Sequence, residues 1–163
     1  MCSHYDPGLS RAQSIYLDTS AVGAYYDDRD ERRRDLTREF WRRLPDFSPN
    51  ISTLVLDELA AVGSIALRNR LLRLVSAFKV LPVTAEAQTL ARQYVESSIV
   101  VETFYADALH LAVASAHGMD YLVSWNFRHL VNIRTRKLVA SVNVNNGFRQ
   151  LEIIAPPELR WSQ

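Results

Sequence analysis

The chain has 163 residues, of which 48% are hydrophobic and 23% are charged. These proportions are ordinary for a globular protein, and the length suits one domain with a substantial core. No apolar run approaches the roughly 20 residues that a membrane-spanning helix needs. The net charge of +1 does not by itself indicate a class of partner.

The first 13 residues, MCSHYDPGLSRAQ, are predicted to form an N-terminal tail before a single domain at residues 14–163. The tail lacks the apolar segment of a signal peptide, so we predict none. Its Cys2 is the only cysteine of the chain, which excludes a disulfide framework and a cysteine metal cluster. The simplest setting for such a protein is the reducing cytoplasm, with no membrane as a partner.

Strands and helices are predicted to alternate along the chain. The first strand is Ser14–Leu17, a short helix begins at Ser20, and a charged helix covers residues 28–44 until Pro45 ends it. The following elements are a weak strand at 47–51, helices at 52–62 and 65–76, a strand at 78–81, a helix capped by Thr84, a strong helix from Thr103 or Phe104 to His117, a strand at 121–124, a helix at 133–144 and a strand at 151–154. This alternation predicts an α/β fold whose parallel sheet is covered on both faces.

Charge is unevenly distributed along the chain. Residues 27–46 contain seven arginines and seven acids, whereas residues 59–85 and 121–151 contain cations and no acid. Seventeen of the nineteen basic residues are arginine, the better bidentate ligand for phosphate. The two acid-free stretches suit a nucleic-acid substrate, although two solvated helix faces would give the same pattern.

An acid ends the first predicted strand. Asp18 follows the apolar run Ile15–Leu17, and a carboxylate there is unfavourable to bury unless a cation or hydrogen-bond donors meet it. The carboxyl ends of the strands in open α/β sheets are also where ligands bind. We therefore predict that Asp18 binds a divalent metal, together with oxygens of Glu58, Asp107 and Asn126, which follow at other element ends or helix starts.

Two of these acids lie on predicted helices. Asp107 is in the first turn of its helix, where the helix dipole favours a carboxylate, and simple capping is the alternative interpretation. Glu58 lies on a largely apolar helix, whereas its neighbour Asp57 projects about 100° away and is expected to face solvent. His110, three residues after Asp107, is either a ligand or proton shuttle, or a packed residue of the core.

Four segments, in this order, resemble the PIN-domain family: residues 17–20 (LDTS), a mid-chain Glu58 on a helix after a strand, residues 105–112 (YADALHLA) and residues 120–130 (DYLVSWNFRHL). The similarity covers roughly residues 14–156 and is strongest to VapC-type toxins of toxin–antitoxin modules. It implies a three-layer α/β/α sandwich with a central parallel sheet of about four to five strands. It also implies Mg²⁺ or Mn²⁺ as cofactor and hydrolysis of RNA phosphodiester bonds.

The resemblance implies roles for individual residues. Asp18, Glu58 and Asp107 match the first three family acids, which are catalytic and hold the metal. The fourth position is often Asp and is Asn126 here; an amide oxygen can bind a hard cation without adding charge. This departure favours one metal ion over two. The residues expected to contact substrate are Thr19, Ser20, Ser124, Arg128 and His129.

These observations support two hypotheses. The first is a metal-dependent endoribonuclease, the toxin of a type II toxin–antitoxin module, because a carboxylate-held cation can stabilise phosphate charge and activate water. Its partners would be RNA, a cognate antitoxin and a second copy of the chain in a homodimer. The second is a catalytically impaired PIN-like module that binds RNA or protein. The arginine-rich helix is a candidate groove for an antitoxin helix, through Leu36, Phe40, Trp41 and Leu44.

Overall fold

The computed structural model describes residues 11–159 of the chain. Most of the predicted N-terminal tail therefore lies outside the described residues. The strands are β1 (Ser14–Leu17), β2 (Ser48–Ser52), β3 (Lys79–Leu81), β4 (Tyr121–Val123) and β5 (Glu152–Ile154). They form one parallel sheet in the order β3-β2-β1-β4-β5.

Seven α-helices lie in the described part of the chain and connect or follow the strands. They are α1 (Thr19–Gly23), α2 (Glu31–Arg43), α3 (Thr53–Ala60), α4 (Ile65–Leu74), α5 (Ala85–Glu96), α6 (Tyr105–Ala116) and α7 (Ile133–Asn145). The predicted α/β fold with a helix-flanked parallel sheet is confirmed. None of the helices within residues 11–159 has both the length and the apolar character to cross a membrane.

The centre of the sheet is buried on both faces. All four residues of β1 are buried, and Tyr16 lies between Asn50 of β2 and Leu122 of β4. A parallel strand covered on both sides reads as a continuous apolar run rather than an alternating one, which explains why Ile15–Leu17 was recognisable in the sequence. Leu111 and other buried residues of α6 belong to the same core.

Most element boundaries differ from the prediction by one to three residues, and several features have local reasons. The charged helix begins at Glu31, because Asp30 caps it by accepting a hydrogen bond from the Arg33 N–H. A 3₁₀ turn at Glu102–Phe104 precedes α6. The weak strand predicted at 47–51 is observed as β2 and includes Pro49, since β3 pairs with β2 only from Asn50 onward and the missing N–H of proline faces no second strand.

The apolar groove predicted on the arginine-rich helix does not form as predicted within residues 11–159. Phe40 and Leu44 are buried in the core, and Trp41 stacks on Phe78 with ring centroids 5.9 Å apart. The exposed side of α2 is instead charged and lines an open depression, formed by Glu31, Arg32, Asp35, Leu36, Arg38, Glu39 and Arg42. Of the four predicted groove residues, Phe40, Trp41 and Leu44 pack against other parts of the protein and Leu36 lines the charged depression, so together they do not form an apolar docking surface.

Candidate functional site

The candidate site lies at the carboxyl ends of the three central strands. Asp18 directly follows β1, Ser124 directly follows β4, and β2 ends at Ser52, which caps the helix that carries Glu58. Because β2, β1 and β4 are neighbours in the sheet, their polar ends meet at one edge. Asp107 reaches the same edge from the first turn of α6.

Asp18 is a buried carboxylate held by hydroxyl and amide donors. It is 4% exposed, and its Oδ1 accepts hydrogen bonds from Ser20 Oγ at 2.7 Å and Ala21 N at 2.9 Å. Its Oδ2 accepts one from Ser124 Oγ at 2.6 Å. Burial raises the pKa of Asp18, and the charge of His110 and these donors only partly oppose that effect. The carboxylate is therefore incompletely compensated.

Asp107 is held by two residues of the loop after β4. Its Oδ2 accepts hydrogen bonds from Asn126 Nδ2 at 3.2 Å and from His129 Nδ1 at 2.7 Å. The Asn126 backbone N–H donates to Ser124 Oγ at 2.9 Å, and its side-chain oxygen accepts from the His129 N–H at 2.9 Å. Hydrogen bonds through Ser124 and Asn126 thus connect Asp18 to Asp107 without a break.

Glu58 is held by His110 from the neighbouring helix. His110 Nε2 lies 2.7 Å from Glu58 Oε1, and the Glu58 side chain remains 38% exposed. Burial acts to raise the pKa of Glu58, but the hydrogen bond and charge of His110, with a contribution from the Thr19 hydroxyl, bring it below its usual value. Glu58 is thus an ionised carboxylate that faces solvent at the edge of the site.

An unsatisfied hydroxyl lies among these acids. Thr19 Oγ1 is buried and makes no hydrogen bond of normal geometry to another described residue, although it is close enough to Glu58 to lower its pKa. Buried polar atoms nearly always have a partner, which can be water or an ion. Thr19 follows Asp18 directly in the chain, at the carboxyl end of β1.

The rim of the site carries exposed aromatic and basic residues. Phe127 is 53% exposed, and Arg128 beside it is exposed as well. Phe104 packs on His129 with ring centroids 4.0 Å apart. Trp125 is half-buried and donates from Nε1 to Thr37 Oγ1 at 2.9 Å, which makes it a packing residue of the loop. The rim therefore combines a cation and aromatic faces next to the acids.

The structure brings the predicted site residues to one edge of the sheet. Thr19, Ser20 and Ser124 surround or adjoin Asp18, while His129 and Arg128 lie in the loop that holds Asp107. Asp57 is exposed, as expected. Too little in the sequence indicated the buried hydrogen bonds that His110 makes; its spacing of three residues from Asp107 was the one signal. The same applies to Tyr16 and Ser52, which lie behind His110.

The donor set suits a hard divalent cation. Carboxylates, hydroxyls and an amide are the oxygen ligands that Mg²⁺ accepts, usually while it keeps several waters. Within residues 11–159 no arginine or lysine forms an ion pair with Asp18, Glu58 or Asp107. No group of three or more histidine, cysteine or acidic side chains in this region is close enough to share an ion directly. The chemical type of the side chains therefore fits a divalent cation. In this structure the three acids are instead held by hydrogen bonds to hydroxyls, to Asn126 and to histidines.

Comparison with solved structures finds proteins that share this fold. VapC20 of Mycobacterium tuberculosis, described as a sarcin-ricin loop cleaving toxin, is 20% identical; the match covers 85% of this chain and 98% of that chain with a TM-score of 0.57. VapBC2 from Rickettsia felis, bound to a DNA fragment from its promoter, is 14% identical, with coverage of 92% and 100% and a TM-score of 0.54.

A toxin–antitoxin complex from Klebsiella pneumoniae is 15% identical, with coverage of 73% of this chain and 92% of that chain and a TM-score of 0.55. At identities this low, the structural matches establish a common fold and no more than that.

A comparison with curated protein sequences finds no match. The sequence model of the PIN domain matches residues 15–130, a segment that includes β1 to β4 and all the acids described above. The chain therefore belongs to the PIN domain family.

Proposed function

We propose that this protein is a divalent-metal-dependent endoribonuclease in which Asp18, Glu58 and Asp107 hold Mg²⁺ or Mn²⁺. The observation that carries the proposal is Asp18, a buried carboxylate at the end of a central strand that meets only hydroxyl and amide donors. A nearby cation would compensate its charge. The bound ion would supply charge stabilisation at the scissile phosphate and an activated water.

The surrounding residues would prepare the acids for this role. Ser20 and Ser124 orient the two oxygens of Asp18, and Asn126 and His129 orient Asp107. The side-chain oxygen of Asn126 already accepts a hydrogen bond from the His129 N–H. The main contribution of Asn126 would therefore be to hold Asp107 through its side-chain nitrogen. A direct bond between Asn126 and the metal stays a prediction, as does a single ion in preference to two.

RNA would approach along the rim. Arg128 is exposed there and has no carboxylate partner among the described residues, which leaves it available for a phosphate. His129 is adjacent and has its Nε2 uncommitted in the described part of the chain, because its bond to Asp107 uses Nδ1. Thr19 and Ser20 would contact substrate or a water bound near the ion.

The similar structures suggest the cellular context. They include a toxin and a toxin–antitoxin complex, so we propose that this chain is the toxin of a type II module, with a cognate antitoxin and a homodimeric assembly in the cytoplasm. Since Phe40 faces the core and Trp41 stacks on Phe78, an antitoxin that used this helix would contact its exposed side, which is charged apart from Leu36. Co-expression with the product of an adjacent small open reading frame tests this partnership.

One observation favours a second candidate, a module that binds RNA without cleaving it. Asn126 replaces a frequent family acid and so removes one negative charge from the site. Cleavage of a labelled RNA pool separates the two candidates. The nuclease requires cleavage with Mn²⁺ or Mg²⁺ that is lost in EDTA and in Asp18→Asn/Asp107→Asn. RNA binding without cleavage by folded wild type in either metal would establish the second candidate.

A further inference from the structure

A buried chain of hydrogen bonds ends on Glu58. Ser52 Oγ lies 2.7 Å from the Tyr16 hydroxyl, the hydroxyl lies 2.7 Å from His110 Nδ1, and His110 Nε2 lies 2.7 Å from Glu58 Oε1. Tyr16 and Ser52 are fully buried and His110 is 3% exposed. The chain joins β2, β1, α6 and α3, so it connects the middle of the core to one acid of the site.

We propose that Tyr16 and His110 are positioning residues, which hold the Glu58 carboxylate in the orientation that binds a divalent cation. The proposal rests on the proposed function, because it assumes that Glu58 is a metal ligand. Residues that hold a ligating carboxylate are often as important as the ligand, and their loss commonly weakens metal binding by roughly 10- to 100-fold.

The directions of the hydrogen bonds support a fixed arrangement. An ionised carboxylate only accepts, so His110 Nε2 donates to Glu58. In the neutral ring Nδ1 accepts from the Tyr16 hydroxyl, whose oxygen accepts from Ser52. In the protonated ring Nδ1 donates to Tyr16, and Tyr16 donates to Ser52. Ser52 Oγ also accepts the Val55 N–H at 3.4 Å. The ring is therefore held in either protonation state.

The fixed histidine leaves Glu58 able to bind an ion. A carboxylate has about four lone-pair positions, and the bond from His110 uses one of them on Oε1. Glu58 stands on α3 with its side chain partly exposed, so without this bond it would be free to adopt several rotamers. Restricting it before the ion arrives reduces the entropy that binding must remove.

The same core contains a second tyrosine network that does not reach the site. The Tyr94 hydroxyl of α5 donates to Asn143 Oδ1 on α7 and lies 3.1 Å from Ser115 Oγ on α6. Tyr94 is as fully buried as Tyr16. It therefore offers a matched control: removing its hydroxyl perturbs a buried network of the same kind without touching Glu58.

The experiment measures Mn²⁺ binding to the full-length protein by calorimetry, with thermal unfolding recorded for every variant. We expect His110→Leu to raise the Kd for Mn²⁺ by about 10-fold or more and Tyr16→Phe by about 3- to 10-fold. His110→Gln, whose amide N–H reaches toward Glu58 as Nε2 does, should recover most of the affinity. Tyr94→Phe should change the Kd by less than about twofold even if it lowers the Tm as much as Tyr16→Phe does.

The outcomes separate this inference from the proposed function. If wild type binds no Mn²⁺, the proposed function fails and the inference fails with it. If wild type binds Mn²⁺ and both Tyr16→Phe and His110→Leu bind it equally well, only the inference is overturned. An equal loss in Tyr94→Phe would also overturn it, because the effect would then be one of core stability. If His110→Leu does not fold, Tyr16→Phe and His110→Gln decide the question.

Discussion

Asn126, which matches the fourth family position in sequence, donates a hydrogen bond to Asp107. Its Nδ2 lies 3.2 Å from Asp107 Oδ2, and its Oδ1 accepts the His129 N–H. A carboxylate at residue 126 would keep the second of these bonds and replace the first by the repulsion of like charges. The amide thus lets two neighbouring polar groups attract each other in the absence of a cation.

This relationship predicts the effect of Asn126→Asp. Without metal the variant should be less stable than wild type by about 1–3 kcal/mol, because a hydrogen bond to a charged group is lost and a like charge is added. With millimolar Mn²⁺ it should gain more stability than wild type gains, since the ion binds a more negative site. Thermal unfolding with and without Mn²⁺ measures both effects. A variant that gains no more stability from Mn²⁺ than wild type would contradict the expectation.

Asp18→Asn should uncouple stability from metal binding. Burial raises the pKa of Asp18, so the ionised form is costly to keep in the metal-free protein, and a neutral amide of the same shape removes that cost. We expect a Tm equal to or above that of wild type in EDTA, together with loss of the Mn²⁺-dependent increase. Ser115→Ala, a buried polar change away from the acids, is the control and should retain the increase. A large loss of Tm in EDTA would show that the charge of Asp18 stabilises the fold.

Arg128→Ala should weaken RNA binding. The guanidinium is exposed on the rim, and loss of one phosphate contact should weaken binding at all sequences and reduce the slope of log K against log salt by about 1. Fluorescence anisotropy with a catalytically inactive Asp107→Asn background gives the affinity at several salt concentrations. The control is Arg73→Ala, which removes another exposed arginine, in the last turn of α4. Equal effects of both substitutions would indicate general electrostatic attraction instead of a rim contact.

Asp120 should make stability depend on acid pH. Burial raises its pKa, but the Ser14 backbone N–H and hydroxyl, together with Arg149, outweigh burial and lower it. A carboxyl whose pKa is lower in the folded state stabilises the fold above its unfolded pKa of about 3.9, and this contribution disappears as pH falls through the folded pKa.

We therefore expect Asp120→Asn to lower the free energy of unfolding by about 1–3 kcal/mol near pH 7, and the difference from wild type to shrink as the pH falls below about 4. Urea denaturation between pH 7 and the lowest pH at which both proteins fold measures this. Glu152→Gln, an exposed neighbour on β5, should show no such trend. A difference for Asp120→Asn that stays constant with pH would mean that the charge is not responsible.

Much of the fold could be predicted because its signals are local. The continuous apolar run of β1, the Thr84 cap and the apolar spacing that marks α6 each depend on residues close in sequence. The α/β class followed from the alternation of these elements. The inward orientation of Phe40 and Leu44 could not be derived in the same way, because periodicity identifies an apolar face without saying whether a core or a partner covers it.

The site acids could be placed at one edge because a parallel sheet brings its strand ends together. Their supports could not be read in this way. The contact of His110 with Tyr16 joins residues 94 positions apart, and its contact with Glu58 joins residues 52 positions apart. Nothing in the local sequence distinguishes such a histidine from one that simply packs in the core. The same is true of Asn126. Its side-chain nitrogen reaches Asp107 and its side-chain oxygen reaches the His129 N–H only because of the path that the loop after β4 takes.

The central claim is that Asp18, Glu58 and Asp107 together hold one divalent cation. The most direct measurement is anomalous diffraction from crystals of the wild-type protein grown with Mn²⁺. We expect a single strong peak among these three residues, held by their oxygens directly or through bound waters, and no peak at that position in Asp18→Asn/Asp107→Asn. A Mn²⁺ ion bound elsewhere, or an empty site in crystals of protein that cleaves RNA only with Mn²⁺, would contradict the assignment.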